Sequence, residues 1–538
     1  MLRTIGELGE VLVVSCAART SKMSDPTAED FLVNQQIKDF AFDLHDATRR
    51  SHLAEDIKRL YTVEFKELSE KYCDKQPWPV AEAIASQCIG NDGAPDAYFL
   101  CVYRELMFRH MFAKLKTTLE DRLAAWANYR ALFDFVLAGD DAATELSSQW
   151  VFDILHEFVY QFQSFCQYRT QNSGRSAEER SLLEASDACW HAPTVLGYLL
   201  RLAELGRAAD GPAGRARAPS PLHYQMGYFA TISRSRVECL LGDYEASVAA
   251  LGAVDPFDEG AEFAKIFSCR LNVLYHLGYS LMMLKRYRDA LATFDGVLAH
   301  LARLAKHGGL QRFPAADQVQ KMNDRMLALF AIALALAPGF PVDDGVAAAI
   351  KDKYGDKMAL MERGDAATFD NMLTYASPKF VVPSIPDYGA PVNSSHDAYK
   401  QQIRLFNDEV LQQQKLSKIR SYLKLYTSIG LDKLARFNDE SVAAFRAQLV
   451  GIKAKLRLDD RKPIGAARLD AAGGADDIHF YVKGDMIHVD EPATQAARHD
   501  DFFANQMKKY DDYIEVVKGL DAKPPPPPAS PRAAQDRD

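Results

Sequence analysis

The eight cysteines include no CxxC pair and follow no regular spacing. That pattern points away from a disulfide framework and toward reduced thiols in an intracellular protein. No stretch approaches the roughly 20 apolar residues needed to cross a bilayer. Phosphate-binding loops (GxxxxGK[ST], GxGxxG), a GxSxG nucleophile elbow, HExxH and calcium-loop patterns are all absent. The 13 histidines are dispersed. His156-Glu157 is the one pairing that suggests a base beside a carboxylate. Adjacent helical residues diverge, however, so His156 reads as a solvent-facing or locally hydrogen-bonded histidine. The cysteines read as small core residues. Nothing in the chain singles out a catalytic residue, a metal-ligand set or a cofactor site.

Charge narrows the field further. A net charge of −9 argues against a chain that binds nucleic acid over its whole surface, while leaving room for a local basic face. With 538 residues, 48% hydrophobic and 25% charged, the composition is that of a soluble globular protein. By length alone it has room for about two to four domains. Near the start, Val11–Val14 and Cys16-Ala17-Ala18 faintly echo a signal peptide, but Glu7 and Glu10 interrupt it. Residues 1–29 are read instead as a disordered leader, or as an extension upstream of a start at Met23.

What is present is overwhelmingly helical. Trp150, Ile154, Phe158, Phe162 and Phe165 recur at helical spacing, with Ser147-Ser148 available as a cap, and predict a buried helix face rather than a cofactor box. Residues 30–205 form an N-terminal helical domain. Gly206 to Pro221, rich in Gly, Ala, Pro and Arg, reads as a flexible loop. Beyond it, residues 222–398 become repeat-like. Leu277-Gly278 followed by Tyr287, Ala290 and Phe294 has the spacing of one tetratricopeptide unit. A weaker unit ends in Gly242-Asp243-Tyr244, with Ser247 where alanine is usual. Such stacks offer extended surfaces to other macromolecules. Pro378, Pro383, Pro386 and Pro391 mark an extended loop.

Residues 399–490 then run helix–helix–helix–hairpin, the order of a winged helix. The first helix covers about Tyr399 to Tyr426 and has a potential break near Lys415. A short one carries Leu431, Leu434 and Phe437. The third runs from Ser441 to Leu456, with Asn438 or Asp439 as N-cap. In the hairpin, Ile478, Phe480, Val482, Ile487 and Val489 fall on one face. The turn lies at Gly484-Asp485, where glycine suits the φ > 0 of a type II′ turn. A lone two-stranded ribbon is marginal in water and must dock. Its other face, His479, Tyr481, Met486 and His488, is the predicted partner interface. A helix from Thr494 to Leu520 follows, assigned to 491–520, and then a disordered Pro-rich tail over 521–538. The fold class is therefore all-α with a small winged-helix element: a TPR-like stack, a winged helix and a long C-terminal helix.

Basic residues gather in this region. Arg446, Lys453, Lys455 and Arg457 belong to the third helix, and Lys415, Lys418, Arg420 and Lys424 to the first. A nucleic-acid-binding winged helix would place the third helix in a groove, whereas a solvated basic face is the simpler account in an acidic chain.

A helical stack closed by a winged helix and a long helix resembles the PCI family. That module occurs in scaffold subunits of the proteasome lid, the signalosome and translation initiation factor 3. Particular runs are similar to the subunit L family of eukaryotic initiation factor 3. They include Pro77-Trp78-Pro79 through Ala85, Gly90-Asn91-Asp92, and Arg104-Glu105-Leu106 through Arg109-His110. Gln149-Trp150 through Gln167-Tyr168-Arg169, Leu241–Tyr244, Lys353–Met358, Ser377–Phe380 and Asp485–His488 belong with them. The likeness extends from roughly residue 30 to residue 520. It implies a PCI domain beginning near residue 295 and a non-enzymatic, cytoplasmic subunit of a complex that binds the small (40S) ribosomal subunit. That complex supports recruitment of mRNA and initiator tRNA. The implied partners are other initiation factor 3 subunits, above all the PCI subunits K and E, with ribosomal RNA or mRNA as a further contact, and neither membrane nor cofactor. The leader, the 206–221 loop and the tail depart from the family pattern. The alternatives are a scaffold subunit of the proteasome lid or signalosome, or a directly RNA-binding winged helix.

Overall fold

In a computed structural model of the chain, the described residues are 33–49, 54–88, 96–138, 146–171, 174–252, 254–309, 316–337, 340–388, 396–459 and 479–490, together with 506–511, 513, 514, 517 and 518. The leader, the 463–476 loop and the Pro-rich tail lie outside them. Among the described residues the protein is an all-α helical stack with one small sheet, and it divides into two units at Gln413/Gln414, inside the continuous helix Asp397–Leu423.

The helix Ser148–Arg169 lies at the centre of the first unit. Ser147 caps it, its hydroxyl accepting from the Trp150 amide at 3.4 Å. Trp150, Ile154, Phe158, Phe162 and Phe165 are all buried, as their spacing predicts. Phe158 meets Phe133 edge-on at 4.9 Å and packs within 5.4 Å of both Tyr129 and Trp190. Ring pairs of this kind add to plain area burial. At the N-terminal end, Tyr61 stacks on Trp150 at 4.8 Å with the planes 7° apart. Tyr61 sits in a π-helical turn, Leu60–Glu64. Its hydroxyl donates to Asp153 at 2.5 Å and accepts from Arg109, which also pairs with the buried Glu105. Trp150 Nε1 donates to Glu105 at 3.2 Å, so each charge in this buried knot has a partner.

The repeat-like half packs as its glycine and alanine positions require. A Cβ on Gly278 would fall on the ring of Phe294, so only glycine lets the helices Phe267–Met283 and Tyr287–Lys306 approach this closely. Ser247, in the position of the expected alanine, is fully buried and satisfied. Its hydroxyl donates to the Ser235 carbonyl at 2.8 Å and accepts from Ser280 at 3.1 Å. Where composition suggests a flexible loop, Ala208–Ala216 forms a 3-10 helix kinked at Gly211. The alanines favour helix, and Arg217–Asp210 and Arg215–Glu262 contacts at 3.5 Å flank it.

The proline-rich segment after Ala376 is a strap across the stack. Tyr275 Oη donates to the Ala376 carbonyl at 2.7 Å, and the Val381 amide donates to Leu240 at 2.9 Å. Gln163 Nε2 reaches the Lys379 carbonyl at 2.5 Å and the buried Arg169 reaches Pro383 at 3.5 Å. Extended backbone rich in proline has no ladder partners of its own, so side chains and loop ends from three helices supply them.

His156 is half-buried, its ring 5.2 Å from that of Phe152 on its own helix. Its Nδ1 lies 3.1 Å from Nη1 of Arg236, a residue 80 positions away, while Glu157 turns aside to Gln161. Burial and the Arg236 guanidinium push His156 well below the usual histidine range. They hold buried His276 at about 3. Both histidines are thus neutral when folded, and the unfolded chain takes up their protons first as pH falls.

Two expectations follow. Gly278→Ala should destabilise the first unit by about 1–3 kcal/mol through overpacking against Phe294, read as a lowered urea midpoint. Stability to urea should also fall on acidification from pH 6.5 toward 3, by about 1.4 kcal/mol per pH unit for each neutral buried histidine. His276→Gln should flatten that slope by one histidine's share.

Candidate partner-binding surface

The second unit is built on one small core. Ile419, Leu423, Ile429, Leu431, Leu434, Phe445, Leu449 and Ile452 enclose Phe480 and Ile487. The helices are the end of Asp397–Leu423, which runs unbroken past Lys415, then Leu431–Phe437 and Val442–Asp459. Ser441 caps the third of these, its hydroxyl accepting from the Ala444 amide at 3.3 Å. Asn438 instead closes the preceding helix, and Asp439 adopts φ 55° in the turn, so neither is the N-cap.

The ribbon is not alone. Strand β1, Ser428–Gly430, pairs antiparallel with β3, Met486–Asp490, which pairs on its other side with β2, His479–Lys483. The order β1-β3-β2 makes β3 central and β2 the longer edge, with no strand beyond it among the described residues, although Lys453 occupies its Phe480 carbonyl. β1 leaves almost no mark in the sequence, because three residues ending in glycine show no alternation. Gly484 has φ 62° and Lys483 faces Met486, so the turn falls at Gly484-Asp485 as the sequence predicts.

Phe480 and Ile487 are buried, but Val482 is 40% exposed. The ribbon overhangs its core at the turn end, where Lys483 to Met486 are exposed too. Ile478 lies outside the described residues. On the opposite face Tyr481 is 52% and Met486 41% exposed. Tyr481 stands directly across from His488, the rings stacked at 5.1 Å. His479 begins β2 opposite Asp490. Three of the four predicted interface residues therefore form one outward patch on the ribbon.

The basic third helix has a different use. Arg446 donates to the Gly484 carbonyl at 2.9 Å and to Asp485 at 3.1 Å. Lys453 donates to the Phe480 carbonyl, with its ammonium 5.3 Å from the centre of the Phe480 ring. Both cations bond the wing to the helix, with the Arg446 side chain still about half exposed at 52%. Lys455 and Arg457 also belong to Val442–Asp459, with side chains outside the described residues. Lys415 pairs with Glu440 at 2.8 Å, and that pairing holds the Glu440 carboxyl below its usual range.

Of the terminal helix predicted over 494–520, the described residues 506–511, 513, 514, 517 and 518 are helical. Met507, Tyr510, Tyr513, Ile514 and Val517 are each roughly half exposed or more. Met507, Tyr510, Ile514 and Val517 alternate steps of three and four, the seam of a helix that packs on other helices. Among the described residues no cluster of His, Cys, Asp or Glu could hold a metal ion, and no helix is long and apolar enough to cross a membrane.

Arg446→Glu should loosen the wing. Amide hydrogen exchange across β2 and β3 should speed up several-fold with or without RNA, and unchanged exchange would mean that the clamp contributes nothing.

Residues 121–510 match the family model described as RNA polymerase I-associated factor PAF67. The chain is 34% identical over 485 residues to eukaryotic translation initiation factor 3 subunit L of Xenopus tropicalis, covering 86% of this chain and 84% of that one. The Homo sapiens subunit L gives the same identity and coverage, 34% over 485 residues with 86% and 84% covered. Against subunit L of Nematostella vectensis the identity is 33% over 514 residues, 92% of this chain and 95% of the relative. With a family model matched over residues 121–510 and relatives 33–34% identical over most of both chains, this chain belongs to the family of eukaryotic translation initiation factor 3 subunit L.

Proposed function

We propose that the chain is a non-catalytic, cytoplasmic scaffold subunit of translation initiation factor 3. In that complex it supports binding of the small ribosomal subunit and recruitment of mRNA and initiator tRNA. The observation that carries the reading is the uncovered seam of Met507, Tyr510, Ile514 and Val517 in a chain that matches subunit L along most of its length. A solvated apolar stripe at heptad spacing costs free energy that a helix bundle with other subunits recovers. The second contact is the wing. Tyr481, Met486 and His488 supply anchors, and the edge of β2 can accept a neighbour's strand by β-augmentation. Of the PCI subunits, K is the proposed neighbour there, with E close by. No cofactor is invoked.

A direct RNA-binding role for the third helix draws little support, since Arg446 and Lys453 are engaged by the wing. Any RNA contact there falls to Lys455 and Arg457.

The test is affinity purification of the tagged chain from its source cells. Other initiation factor 3 subunits should come with it, and Met507→Asp combined with Ile514→Asp should reduce their recovery at least tenfold without changing thermal unfolding. Recovery of proteasome-lid or signalosome subunits, or of no subunits at all, would sink the proposal.

A further inference from the structure

A second uncovered surface lies at the β1 side of the same sheet, away from the β2 edge. Leu425, on the connection between the helix Asp397–Leu423 and β1, is 75% exposed. The turn holds it in place, its amide donating to the Tyr422 carbonyl at 3.0 Å. Beside it the tertiary fold assembles an aromatic cluster from two helices. Tyr422 and Phe437 lie 5.4 Å apart, and Phe437 is itself 37% exposed. Lys433 stands between two rings, its ammonium 5.6 Å from the centre of Tyr426 and 5.9 Å from that of Phe437. No carboxylate among the described residues lies within 4.0 Å of it. Arg436, nearby on the same helix, reaches only Asp432 at 4.0 Å, with both side chains largely in solvent.

The helix Leu431–Phe437 brings two cations, Lys433 and Arg436, to the cluster with one acid, Asp432, in a protein of net charge −9. Lys433 without a carboxylate partner among the described residues, beside an exposed leucine and phenylalanine, suits an acidic occupant. Two classes of macromolecule are acidic, and the rings decide between them. A single-stranded nucleic acid would stack its bases on free aromatic faces. Here Phe437 is packed against Tyr422 and approached by Lys433, which also approaches Tyr426. Leu425, the most exposed of these side chains, offers an apolar knob and no stacking plane. Aromatic, leucine and arginine side chains around one such knob are the makings of a protein contact.

We infer that Tyr422, Leu425, Tyr426, Lys433, Arg436 and Phe437 form a docking site for an acidic segment of another protein. That segment presents an apolar side chain to Leu425 and Phe437 and a carboxylate to Lys433. The site is separate from the wing and the terminal helix, and it deepens the scaffold reading by naming the chemistry of one more partner.

The test uses the full chain in whatever assembly is purified with it. A water-soluble carbodiimide joins an amine directly to a carboxylate with loss of water, so it reports only pairs already in contact. Mass spectrometry should find Lys433 joined to an Asp or Glu of another protein, within a few residues of Leu, Ile, Met or Phe. Leu425→Asp and Lys433→Glu should each reduce recovery of that protein at least tenfold. Lys433→Arg should preserve recovery, and all three variants should unfold within a few degrees of the parent. Lys433 coupled only within its own chain overturns the inference. So does a photo-crosslinker at position 425 that captures RNA instead of protein. If the initiation-factor subunits are recovered and Lys433 stays uncoupled, this inference fails alone and the scaffold reading stands. A chain recovered with no partner overturns both.

Discussion

The helix Ser148–Arg169 has to be held at both ends by residues far from it in sequence, and the first unit is organised around that need. At one end Trp150 is locked by Tyr61 and Glu105, and at the other Arg169 and Gln163 take hold of the strap after Ala376. A stack of helices that contact only their neighbours can shear like a column of coins. A strap whose carbonyls accept from the Gln163 amide and the Arg169 guanidinium, more than 200 residues away in the chain, removes that freedom. The cost is burial of charge, which is tolerable because Arg109 and Glu105 satisfy each other in the same knot.

A similar constraint explains the winged helix. Among the described side chains of the three-stranded sheet only Ile429, Phe480 and Ile487 are deeply buried, one from each strand, a small apolar area to fix a wing. Arg446 and Lys453 supply the rest by bonding to carbonyls of the ribbon. The same two cations orient the surface beside them. What this leaves uncovered is apolar and aromatic: the outer face of the wing, the seam of the terminal helix and the Leu425 cluster. All three suit contact with protein, and they lie within a family whose named relatives are subunits of a translation factor.

Much of this was legible from residue types. Helical spacing located the aromatic face of Ser148–Arg169, the Gly278–Phe294 approach and the turn at Gly484, because each depends on a local period or a single steric demand. The strand β1 was not legible, since Ser428–Gly430 becomes a strand only by pairing with β3. The partner of His156 was not legible for a related reason. A helix position says which way a side chain points, while its partner Arg236 comes from another helix. Arg446 and Lys453 read as a basic face for the same reason, and only the folded hairpin shows what they bond.

By itself the sequence determined the fold class, the family and the absence of any recognisable catalytic motif, because period, composition and short runs are properties of neighbours along the chain. The tertiary structure alone decided which cations are engaged and which surfaces stay open. Those depend on side chains brought together from distant positions: Lys433 between Tyr426 and Phe437, Arg446 on Gly484, Gln163 on Lys379. A charge or a ring has no assigned role until the fold supplies what stands opposite it.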